Sequence, residues 1–107
     1  MTSYATRIRA LFDDIDRTPW GPEEPALVAE AVALAQESGD ERLEYEARLR
    51  QTSSANMAGD TDLMLTSFAG CLAHHDGDPE RFPPVLEPAG DLLWQYKWIA
   101  GAVSHSP

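Results

Sequence analysis

The chain contains a single cysteine, Cys71, among its 107 residues. One thiol excludes an internal disulfide and a four-cysteine zinc site, and it points to a reducing, cytoplasmic setting. Positive charge is also scarce. Eight lysines and arginines stand against 18 aspartates and glutamates, a formal net charge of -10. Such a surface repels phosphates and anionic headgroups, so neither a nucleic-acid nor a membrane partner is expected. No apolar run is long enough for a signal peptide or a membrane span. Aromatic residues make up only 8% of the chain, yet Trp94, Tyr96 and Trp98 crowd into one short segment.

The remaining apolar content, 43% with aromatics included, suffices for one modest core, so residues 1–107 are expected to form one domain. Two Gly-Asp pairs, Gly39-Asp40 and Gly59-Asp60, divide residues 27–75 into alanine- and leucine-rich segments. Glycine ends a helix by adopting positive φ without a Cβ clash, and the following aspartate caps the free N–H groups of the next helix. The two reversals predict stacked helical hairpins and leave no room for a sheet.

Five antiparallel helices are expected, at about residues 3–17, 24–38, 41–58, 61–75 and 91–103. Ile8, Leu11, Phe12 and Ile15 recur at helical spacing behind a Ser3 cap, and need a partner on the second helix. Residues 18–22, Thr-Pro-Trp-Gly-Pro, break the chain into a loop. Glu23, Glu24 and Pro25 suit the start of the second helix, whose small residues fit an interior position. In the third helix, Glu44 with Arg48 and Glu46 with Arg50 form i,i+4 pairs on what reads as a solvent face, followed by the polar run Gln51, Thr52, Ser53, Ser54 and Asn56. The fourth carries Met64, Phe68, Cys71, Leu72 and His75 on neighbouring turns. Residues 77–90, with four prolines, read as an irregular extended connection pinned by Phe82.

The last helix is apolar on nearly every side. Leu92, Tyr96, Ile99 and Val103 make one stripe, while Trp94, Trp98 and Ala102 make another that one neighbour cannot cover. Trp94, Tyr96 and Trp98 are therefore candidates for an interface, either with a further helix or with a second copy of the chain.

Residues 47–72 resemble a tetratricopeptide repeat, a helix-turn-helix unit that stacks into an α-α superhelix. Gly59-Asp60 falls at the family's inter-helix turn, Phe68 at its large aromatic, and Cys71-Leu72 where alanine-leucine is usual. The segment departs from the pattern at Arg48, Gln51, Thr52, Met64 and Asp76. In its alanine-rich, acidic character the whole chain is also similar to the start of long helical-repeat proteins common in actinobacteria. The resemblance implies two stacked hairpins plus a fifth helix, a non-catalytic scaffolding role without a cofactor, and a protein or peptide partner. That partner would lie along the face of the third helix bearing Glu46, Leu49, Ser53, Asn56 and Met57, with Arg50 beside it to pair a carboxylate.

A competing chemistry is a small-molecule or metal-binding, perhaps catalytic, bundle built on Cys71, His74, His75 and Asp76, because thiolate and imidazole are zinc ligands and residues 71 and 75 are one turn apart. Against it, Cys71 shares the apolar stripe with Phe68, no second paired-ligand motif exists, and the remaining imidazole is the distant His105. Asp13, Asp14, Asp16, Glu23 and Glu24 read as ordinary surface charge, since nothing in their spacing sets two of them across a substrate.

Overall fold

The computed structural model describes residues 3–17 and 21–104, the last three by backbone alone. Among these residues the elements are α1 (Tyr4–Arg17), α2 (Glu24–Ser38), α3 (Glu41–Ala58), α4 (Thr61–Gly77), β1 (Val85–Leu86), β2 (Gly90–Asp91) and α5 (Leu92–Ser104). The fold is all-α. The expected break at residues 18–22 lies mostly outside the described residues; Gly21 and Pro22 lead into α2.

Both Gly-Asp reversals form by the mechanism their residues require. Gly39 and Gly59 have φ of 73° and 75°, a conformation that costs a residue with a Cβ on the order of 1 kcal/mol. At the second, the Gly59 N–H donates to the Asn56 carbonyl at 3.2 Å and the Asp60 N–H to the Ala55 carbonyl at 2.9 Å, the two hydrogen bonds of a Schellman ending. Asp40 Oδ1 then accepts from the Arg42 and Leu43 amides at 3.0 and 3.1 Å, and Asp60 Oδ1 from the Leu63 amide at 3.1 Å. Ser3 caps α1 in the same way, accepting from the Thr6 amide at 3.2 Å.

These tight turns lay α2, α3 and α4 side by side, α1 packs against α2, and α3 lies between two apolar clusters. On one side Ile8, Phe12 and Ile15 meet Val28, Ala31 and Val32 together with Leu43 and Ala47 of α3. On the other, Tyr45 and Leu49 meet Phe68, Cys71, Phe82 and Leu92. A helix flanked in this way has no broad solvent face, which corrects the expected charged surface of α3. Its polar second half is largely interior, with hydrogen bonds that make this tolerable. Ser67 Oγ of α4 donates to Gln51 Oε1 at 2.9 Å, and Thr52 Oγ1 donates to the Arg48 carbonyl of its own helix at 2.9 Å.

The connection after α4 is more ordered than its prolines predict. Asp78 Oδ1 accepts from the Arg81 amide, Phe82 is 4% exposed, and the Tyr45 hydroxyl donates to the Pro83 carbonyl at 2.5 Å. Phe82 thus pins the segment, as its isolation among prolines predicts. Two two-residue strands then pair antiparallel, Val85 with Asp91 and Leu86 with Gly90, around a cis Glu87–Pro88 peptide. This is the one departure from an exclusively helical layout among the described residues. It folds the chain back so that Asp91 caps α5, accepting from the Leu93 amide at 2.9 Å.

Candidate functional site

The face of α3 proposed for a ligand is partly covered, Glu46 and Arg50 by α1 and Leu49 by the residues around the start of α5. Glu46 is 8% exposed, and Arg9 donates to both its oxygens at 2.8 and 3.2 Å; Arg42 Nε lies 3.7 Å from it. Arg50 does not pair with Glu46 through its carboxylate. It reaches α1 instead, donating from Nε and Nη2 to the two oxygens of Asp16 at 3.0 and 2.8 Å, with its carbon Cζ 3.9 Å from the Phe12 ring centroid. Leu49 is fully buried, turned toward the second cluster rather than a groove. Ser53 and Asn56 are half-buried, and Met57 is exposed. A carboxylate already occupies the guanidinium, so a ligand would have to displace Asp16 to use it.

Where that stripe emerges from under α1, a cleft of about 300 Å³ is lined among the described residues by Ile15, Asp16, Glu24, Arg50, Ser53, Ser54 and the Pro88–Gly90 turn. Its charged members are already committed: Arg50 and Asp16 pair with each other, and Glu24 is 7% exposed and has partners of its own.

The Cys71, His74 and His75 cluster is pulled apart by its own hydrogen bonds. Cys71 is fully buried, with Sγ 4.0 Å from the Tyr45 carbonyl, and its thiol is pushed up to about 12, chiefly by burial. His74 Nδ1 donates to the Gly70 carbonyl at 2.9 Å and His75 Nδ1 to the Phe82 carbonyl at 2.8 Å, so His75 serves to hold the connection. His74 packs edge-on against Phe82, ring centroids 4.8 Å apart. Among the described residues no three His, Cys, Asp or Glu side chains gather around a point where a metal ion would sit. A thiol that stays protonated in the core is a poor nucleophile.

The fifth helix divides its residues differently from the two predicted stripes. Its inner side is Leu92, Gln95 and Ile99, with Trp98 half-buried. Of the interface candidates, Tyr96 is 58% and Trp94 57% exposed, although Tyr96 does not share the inward side with Leu92 and Ile99 as its stripe predicted; Leu93 is 64% exposed. Gln95 was not recognisable as a core residue. It is fully buried, its Nε2 donating to the Leu49 carbonyl at 3.0 Å and directed to Ser53 Oγ at 3.4 Å, while its Oε1 has no partner among the described residues. Gly90 makes this seat: a Cβ there would lie 2.8 Å from Gln95 Nε2. The available sequence signal was a lone amide three residues after Leu92 and four before Ile99, on the same helical line.

The outward side of α5 is therefore a contiguous apolar face. Leu93, Lys97 and Ala100 lie along its centre, flanked by Trp94 and Tyr96. Lys97 Nζ sits 4.6 Å from the centroid of the Trp94 ring and is the helix's one charge. No protein-family model matches the chain, and no curated protein and no solved structure matches it significantly. No helix among the described residues is long and apolar enough to cross a membrane.

Proposed function

We propose that the chain is a non-catalytic protein-protein interaction module of stacked, tetratricopeptide-like hairpins, working in the cytoplasm, with the outward face of α5 as its contact surface. The observation that carries this reading is the exposure of Leu93, Trp94 and Tyr96 together on one helix. Large aromatics are the side chains on which binding energy concentrates once a partner removes them from water. Fully burying such a side chain is worth roughly 1.5–3 kcal/mol, and a little over half of that area is still exposed on the described chain. The buried free Cys71 suits a reducing compartment.

The partner is a protein surface or helix with an apolar face, and the rest of the stack serves as a rigid support. The test is a photo-activated cross-linking residue placed at position 93, with position 57 as an exposed control, irradiated in the cells that make the protein. Discrete adducts from position 93, to any protein including the chain itself, support the reading. Their absence, with the protein folded and abundant, sinks it.

A further inference from the structure

The face on α5 has a shape and a charge distribution that favour one occupant. We infer that it pairs with the same face of a second copy of this chain, antiparallel, about a two-fold axis passing close to Lys97. The inference rests on the interaction reading above and names its partner.

Shape is the first argument. The bulky side chains stand at the N-terminal end of the face, Leu93 and Trp94, and the small ones at the C-terminal end, Ala100 and Gly101. Ala100 is exposed, and among the described residues a Cβ added at Gly101 would meet nothing within 4 Å. An antiparallel pairing centred on residue 97 sets Leu93 opposite the partner's Gly101 and Trp94 opposite the partner's Ala100. Leu93 and Trp94 then each meet a gap, as side-chain ridges of one helix require of the next, while Tyr96 falls toward the partner's Trp98 at the flank of the contact. A parallel pairing sets bulk against bulk and gap against gap. A closed two-fold contact also ends with two copies, as most symmetric assemblies of soluble chains do.

Charge is the second. The chain carries a net charge of -10, so most approaches of two copies bring carboxylates together. Residues 92–104 hold no carboxylate and one cation, and that cation lies back over its own Trp94 ring. On this surface an equally acidic copy meets no carboxylate of α5, and the two Lys97 ammonium groups that the axis brings toward each other each rest on their own Trp94 ring. The association should accordingly tighten as salt screens the remaining charge, the opposite of a contact made by ion pairs.

Area sets the strength. Three side chains a little over half exposed offer roughly 100–150 Å² each, so two copies bury roughly 600–900 Å² through them, short of the roughly 1,600 Å² of a standard stable interface. The dimer is therefore weak and concentration-dependent.

The test is absolute mass by light scattering and sedimentation from about 5 to about 500 μM, a range that brackets weak association. It is run on wild type, on Trp94→Ala with Tyr96→Ala, and on Gly101→Trp. The mass of wild type should rise toward twice the monomer with concentration and rise further in high salt, and both variants should stay monomeric with unchanged helical circular dichroism. Lys97→Cys should cross-link to itself under mild oxidation, the native Cys71 being buried. A wild type monomeric throughout overturns the second copy as occupant. A dimer that survives both variants overturns the face. If position 93 cross-links only to other proteins while the purified chain stays monomeric, the pairing fails and the interaction reading stands.

Discussion

The ion pair of Arg50 and Asp16 makes an asymmetric prediction about which partner the fold can lose. The Arg50 side chain is 6% exposed and that of Asp16 26% exposed. Asp16→Asn keeps the shape and removes the charge, leaving a guanidinium that cannot shed its proton in a site water hardly reaches. Breaking a fully buried pair from one side costs about 3–5 kcal/mol. Here the cation keeps the Glu46 carbonyl, 3.2 Å from Nη1, and the Phe12 ring, and water reaches the Asp16 side of the pair. A loss of about 2 kcal/mol remains once the partial exposure of Asp16 is discounted. Arg50→Met instead leaves a carboxylate that water can solvate, and the thioether still packs on Phe12, so the expected loss is about 1 kcal/mol.

Urea unfolding followed by circular dichroism measures both, and the double variant Asp16→Asn with Arg50→Met decides the cause. With the cation gone the Asn substitution should add almost nothing, so the double variant should lose about 1 kcal/mol, well short of the sum. Thermal midpoints should fall by about 10 °C for Asp16→Asn, at roughly 4–8 °C per kcal/mol in a domain this size. If Asp16→Asn costs less than about 0.5 kcal/mol, or the two losses simply add, the pair behaves as an exposed one and the account of α1 holding α3 by charge is wrong.

Three further outcomes follow. Cys71 should resist thiol reagents at pH 8 until urea unfolds the chain, because burial raises it from an ordinary 9.0 to about 12; rapid labelling of the native protein would contradict its place in the core. Stability should also fall as pH rises, since the unfolded chain releases the Cys71 proton near 9.0 and the Tyr45 proton near 10.0 while burial holds both to about 12 in the fold. Each group contributes a slope of about 1.4 kcal/mol per pH unit inside its window, and Cys71→Ala and Tyr45→Phe should each remove one step of an alkaline unfolding series. Gly90→Ala should push the Gln95 amide from the Leu49 carbonyl and cost about 1–3 kcal/mol, seen as faster amide exchange confined to α5; uniform destabilisation would place the effect elsewhere.

The helices and their turns were legible in the sequence because each is set by local chemistry. Gly39, Gly59, Asp40, Asp60 and Asp91 act within a few residues of where they stand, and those effects survive whatever the rest of the chain does. The faces of α3 and α5 were not legible, for a common reason. Polar residues on α3 and apolar residues all around α5 carry little periodic signal, so which side turns inward depends on neighbours distant in sequence. Arg50 left its i,i+4 partner because Asp16, 34 residues away, offers two oxygens at once. Gln95 went inward because Gly90 opens a space beside the Leu49 carbonyl. The tiny hairpin was missed because four prolines argue against strands in general, and the pairing needs only two residues on each side.

The way α5 is held bears directly on what its outer face can bind. A helix resting on the stack through apolar contacts alone can slide or roll with little penalty, and a partner then has to bear the entropy of fixing it. Here the Gln95 amide reaches the Leu49 carbonyl and Ser53 Oγ on α3, Gly90 leaves open the space beside it where a Cβ would lie 2.8 Å from Nε2, and Asp91 holds the first turn. These contacts set the rotation of α5 about its own axis, and with it the direction in which Leu93, Trp94 and Tyr96 point. An amide whose oxygen has no partner among the described residues is an expensive anchor compared with a leucine of similar size. Polar groups of this kind trade stability for one defined arrangement in the cases where that trade is understood. Gln95→Leu should on this account raise the thermal midpoint while weakening association through the outer face. A variant that both stabilises and binds as tightly as wild type would show that the direction of the face does not depend on the amide.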